Sequence, residues 1–171
     1  VDAALLLTMP ALSVVEIVVD GRVRRLAAQP TSDGLVVDGV HWVLQSVSGR
    51  LDPALLRDRP VEEQARRHFA LTWAVPVDAS GTPQALPATV PAVVHAPTPT
   101  DEPVSLPALL IAPLPLDPAR RHVAAGPLRD HLIDQAAGAF VELVRELPAT
   151  AEVLSLVPIG VATGAIDAEL R

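Results

Sequence analysis

Two adjacent arginines, Arg120 and Arg121, are the side chains in this sequence best suited to ligand chemistry. Arginine carries a fixed planar fork of donors that matches a phosphate or a carboxylate. The pair follows an apolar run at 106–116 and a tight turn at Asp117-Pro118, and it precedes a helix start at Gly126-Pro127. Helix N-termini attract anions, so the surroundings suit a negatively charged ligand. The same residues also read as a surface turn whose arginines meet Asp117 or Asp130, an arrangement worth little in stability. Arg24-Arg25 and Arg66-Arg67 are similar doublets, so the doublet alone has low specificity.

Other chemistry is thinner. The five histidines are His41, His68, His95, His122 and His131. No pair has the spacing that puts two imidazoles on one helical face beside a glutamate, so structural or surface roles are expected and no metal site. Ser46 to Gly49 reads as a turn, and no serine has the glycine flanks of a nucleophile elbow. Asp101-Glu102 reads as a solvated acidic turn rather than half of an acid/base pair.

Four residue types are missing altogether: Lys, Asn, Cys and Tyr. A GC-rich source accounts for three of them. Without cysteine there is no disulfide and no thiolate ligand or nucleophile. Without lysine there is no P-loop and no Schiff base. The chain also cannot hold magnesium through an asparagine. A net charge of −7, from 13 basic and 20 acidic residues, argues against a nucleic-acid partner. No apolar run reaches the roughly 18 residues of a membrane span, and no signal peptide is evident. A cytoplasmic location is the expectation, with no membrane partner. From the start at Val1 and a helix pattern only beginning at Ile166, a piece of a longer chain is expected.

The elements that must position the arginine turn are legible in outline. Residues 14–19 are β-branched and run into Asp20-Gly21, and a second Asp-Gly stands at Asp38-Gly39. Both are strong hairpin signals, so 1–50 is expected to form an antiparallel meander, with Asp33-Gly34 as a further turn. Asp52-Pro53 caps a short helix and 60–67 starts another. Residues 69–77 alternate Phe69, Leu71, Trp73, Val75 and Val77 on one face, with Pro76 pointing to an edge or to the end of the strand.

Eleven of the 18 prolines lie from Pro76 to Pro118, so 78–103 is expected to be an extended excursion. Within it, 93–95 forms a short strand and 98–103 an acidic, turn-rich lead into the apolar run. Residues 109–114 make a strand buried on both faces. Leu128, Leu132, Ala136, Phe140 and Val144 recur every four residues and predict an amphipathic helix over 128–147, ending before Pro148. The 148–171 stretch begins a following segment. The fold class is α+β, with 51–147 as the core: a mixed or antiparallel sheet with a long helix packed on it.

The 97–123 segment resembles a region of the sacsin-like, Hsp90-like ATPases. The shared pattern is Pro-Thr (Pro97-Thr98 or Pro99-Thr100), Leu106-Pro107, an apolar strand, Ala112-Pro113, Leu116-Asp117 and the doubled arginine. Ser105 stands where the pattern has glycine, Ile111 where asparagine is common, and Leu114-Pro115 replaces an aromatic pair. The ATP-binding motifs of these proteins cannot be assembled from this chain.

The resemblance therefore implies the transducer, or middle, domain that follows the nucleotide domain, with a fold like domain 2 of ribosomal protein S5. It implies no catalysis and no cofactor in this chain alone, with ATP and magnesium held by the parent protein. It also implies Arg120 or Arg121 as a phosphate contact across domains. The partners it implies are the adjacent nucleotide-binding domain, protein clients, and a second copy of the parent. Two other readings stay open. One is a stand-alone interaction module that docks on a sheet edge or on 78–103. The other is a small-molecule enzyme, which requires a deep polar pocket.

Overall fold

The computed structural model describes residues 4–171. Residues 1–3 lie outside them. Eight strands form one mixed sheet, in the order β1 (Val14–Val19), β2 (Arg22–Pro30), β3 (Gly34–Val37), β4 (Val40–Arg50), β5 (His68–Val77), β8 (Leu109–Ile111), β6 (Val93–Ala96) and β7 (Thr98–Pro103). Strands β1 to β5 make the antiparallel meander. β6 pairs in parallel with β8 and antiparallel with the edge strand β7.

The Asp-Gly turns have the backbone that their sequence demands. Asp20 and Gly21 have φ of 49° and 73°, and Asp38 and Gly39 have 51° and 78°. Positive φ at both central residues matches the twist of the flanking strands. Gly34 has a different cause: a Cβ there would lie 1.8 Å from the Trp42 carbonyl oxygen.

Alternation decides which side chains meet. Phe69, Leu71, Trp73, Val75 and Val77 all join the larger core, as the spacing predicts. Helix α3 (Pro127–Glu146) lies on that face and buries Leu128, Leu132, Ile133, Ala136, Ala139, Phe140 and Leu143. Trp73 pins it: the indole Nε1 donates to the Ala136 carbonyl at 2.8 Å, and its ring lies 4.9 Å from that of Phe140. The opposite face carries a second cluster of Leu26, Val37, Trp42, Ala74 and Leu109, covered by the short helix α1 (Ala4–Thr8).

Several sequence expectations are corrected. Ser46 to Gly49 is no turn; it lies inside the long β4, with Gly49 against the Phe69 ring. β5 is an interior strand rather than an edge, but it does end just past Pro76, at Val77; Pro76 is tolerated because β8 pairs only with residues 72–74. The strand expected over 109–114 stops at Ile111, before Pro113. The acidic lead at 98–103 is itself strand β7, and the sheet edge is where Pro99 and Pro103 can sit without interrupting a ladder. The excursion at 78–92 is tied down: Asp78 accepts from the Ser80 and Thr82 amides, and Val90 is buried in the second cluster.

Helix α4 (Ala165–Leu170) is held by a buried carboxylate. Asp167 accepts from the Ser105 amide at 2.8 Å and hydroxyl at 2.9 Å, and from the Thr163 amide at 2.8 Å and hydroxyl at 3.0 Å. Burial alone would raise its pKa. The Thr163 and Ser105 donors outweigh burial and hold the carboxyl below its usual range. A carboxylate with a depressed folded pKa stabilises above its unfolded value and loses that contribution as pH falls through the folded one. Asp167→Asn is therefore expected to destabilise by about 2 kcal/mol at neutral pH and to lose the wild type's extra acid sensitivity below about pH 4. Urea unfolding across pH checks both. Equal acid limbs in the two proteins would contradict the assignment.

Candidate functional site

The arginine turn sits at the sheet edge beside β7. Leu116 and Val123 form an isolated bridge, the Ala124 amide donates to the Pro115 carbonyl, and the Asp117 amide donates to the His122 carbonyl. The resulting loop is tied inside and outside. Inside, the Asp117 carboxylate accepts from the Arg121 amide at 2.9 Å and the His122 amide at 3.2 Å. The Arg121 amide, with those of His122 and Arg120, holds the Asp117 carboxyl below its usual range. Outside, the Asp101 amide donates to the Arg121 carbonyl, and the Asp101 carboxylate takes the Arg121 Nε–H at 2.7 Å. Glu102 accepts from the Val123 amide at 3.1 Å and lies 3.2 Å from His122 Nδ1.

Asp101-Glu102, read from sequence as a solvated turn, is therefore the outer clamp of the arginine loop. Neither arginine side chain meets Asp117 or Asp130; Asp130 pairs with Arg129 instead. The two arginines also part company. Arg121 is a brace, spent on Asp101. Arg120 has no hydrogen bond or ion pair from its guanidinium among the described residues. Its backbone is left-handed, with φ of 57°. A non-glycine residue there is disfavoured by about 1 kcal/mol.

Arg120 lines a cleft of about 800 Å³ between this loop, the start of β5, the N-terminal end of α3, and the connector that follows β4. The connector carries a 3₁₀ turn (Pro53–Leu56), capped by the Asp52 carboxylate on the Ala54 amide at 2.8 Å, and the short helix α2 (Val61–Gln64). The walls are apolar, from Leu51, Leu56, Phe69, Leu114, Leu128 and Leu132. The charged lining is Arg59, Glu63, Arg66, Asp117 and Arg120, with His68 beside them. Arg59 is taken by Glu63 at 2.8 Å. Arg66 makes no side-chain hydrogen bond or ion pair among the described residues. The lining thus mixes these charged groups with apolar side chains.

Sequence reasoning reached Arg120 and Arg121 but missed Arg59 and Arg66 as members of the same cleft. More than 50 positions separate Arg66 from Arg120, and their segments meet through the pairing of β5 with β8 and the packing of α3 on β5 and the connector. Among the described residues no cluster of three or more His, Cys, Asp or Glu is placed to hold a metal ion. No described helix is long and apolar enough to cross a membrane.

Fold and cleft together define an α+β domain: a mixed eight-stranded sheet with one long helix packed on it and an arginine-bearing cleft at one end of its central strands. No protein-family model, no curated protein and no solved structure matches the chain.

Proposed function

We propose that this chain is the transducer domain of an Hsp90-like or sacsin-like ATPase, related to domain 2 of ribosomal protein S5, and acts in the cytoplasm. It carries the nucleotide state of a neighbouring ATP-binding domain to protein clients, and ATP and magnesium sit in that neighbour. The observation that supports this reading best is the state of Arg120. Among the described residues its guanidinium is unpaired, on a loop fastened at both ends, and its backbone conformation would suit glycine better. Residues held in costly backbone conformations by an over-determined loop concentrate at functional sites. A cation so held is pre-organised for an anion supplied from outside the chain, and a phosphate bearing developing charge is such an anion.

Arg121 then has a supporting task. With Asp101 it fixes the loop that carries Arg120. The chain alone has no nucleotide site in this reading, so calorimetry with Mg-ATP is expected to register no binding to it. Binding at micromolar affinity would overturn the assignment.

A further inference from the structure

The cleft has a property that a phosphate contact across domains does not use. A protein with net charge −7 here gathers three arginines against two carboxylates around an apolar hollow. One arginine and one carboxylate cancel as the Arg59–Glu63 pair. Asp117 is committed to the backbone amides of its own turn. Arg66 and Arg120 are left as uncommitted cations among the described residues, one on the connector wall and one on the loop wall. Below them lie Leu56, Phe69, Leu114 and Leu132. A site whose walls are aliphatic and whose rim is cationic complements one kind of solute: an apolar body carrying a single anionic head. Inorganic phosphate would leave the hydrophobic walls unused, and a neutral hydrocarbon would leave the arginines unused.

From this we infer that the cleft binds a free single-chain amphipathic anion, an acyl or alkyl chain ending in a carboxylate or a phosphate. The head lies between Arg66 and Arg120, and the chain runs down over Phe69 and Leu132. The volume, about 800 Å³, is in the range that encloses small ligands. The inference does not rest on the nucleotide relay, because Arg66 lies outside the loop that the relay requires.

Titration calorimetry of the chain with octanoate, octyl phosphate, butanoate and neutral octanol, each below its aggregation limit, tests this. Both eight-carbon anions are expected to bind, with butanoate and octanol each at least about tenfold weaker. Arg66→Gln and Arg120→Gln, both at exposed positions, should each weaken the anions by about tenfold and leave octanol unchanged. Equal affinity for octanol, no dependence on chain length, or full affinity in both variants would each overturn the proposal. Co-sedimentation with phosphatidylglycerol vesicles, tighter than the binding of octyl phosphate, would also overturn it by moving the ligand to a bilayer. The relay is read separately: Arg66→Gln should weaken octanoate binding by about tenfold while ATP turnover of the full-length protein is retained.

Discussion

On the proposed transducer role, Arg120→Ala is expected to lower ATP turnover of the full-length protein by about 100-fold or more, the cost of removing one pre-organised cation from developing phosphate charge. Substrate affinity of the nucleotide domain should change little, because the contact is made as charge develops. The companion variant is Arg120→Gly. Glycine adopts the left-handed backbone at position 120 without strain. This variant should therefore be as stable as the wild type, or more stable by about 1 kcal/mol, and still lose turnover to the same extent. Such a result separates the guanidinium from the shape of the loop. Arg121→Ala should act differently. It removes the Asp101 pair, an exposed contact worth at most about 1 kcal/mol. The expected fall in turnover is several-fold, through loosened positioning of Arg120. If Arg121→Ala were the more damaging change, Arg121 would be the phosphate contact and Arg120 its support.

The largest expected effect on stability is at Trp73. Its indole is fully buried, donates to the Ala136 carbonyl, and packs on Phe140. Trp73→Ala removes the bond and opens a cavity under the middle of α3, costing about 4 kcal/mol. Trp73→Phe keeps most of the packing and gives up the donor, so about 1 to 2 kcal/mol is expected. Besides Phe69 and Phe140, the larger core around Trp73 is Leu, Val, Ile and Ala. Urea unfolding followed by tryptophan fluorescence measures the Phe variant, since Trp42 remains as a reporter in the second cluster. A loss below about 2 kcal/mol for the alanine variant would mean that α3 does not depend on this anchor.

How much of the fold and the cleft is legible in the sequence follows from the range of each interaction. The Asp-Gly hairpins and the α3 stripe are local signals, and they place the starts of β1 to β4 and the long helix to within about a residue, whereas β4 runs on through the expected turn at Ser46–Gly49 to Arg50. The alternation in β5 is equally local and identifies its core face. The strand β7 is not legible, because two prolines in six residues read as a loop unless one knows that the strand lies at an edge. The clamp of Asp101 and Glu102 on the arginine loop joins residues about 20 apart, and no spacing rule announces it. The sequence points to both arginines of the doublet but cannot tell brace from free cation; the partner of Arg121 decides that. Asp167 with Ser105 is hidden for the same reason, being 62 positions apart. Ser105, in sequence only a departure from a family pattern, is the donor that fastens α4 to the strand-bearing part of the chain.

Whether the loop offers Arg120 to a phosphate held by another domain is tested most directly by a distance. A spin label is placed on a cysteine at the neighbouring position, Ala119, which is exposed, in a chain that has no cysteine of its own. In the full-length protein, with manganese in place of magnesium and a non-hydrolysable ATP analogue bound, the distance from label to metal should be short and should lengthen in the ADP state. A distance that is long and unchanged between the two nucleotide states would contradict the account.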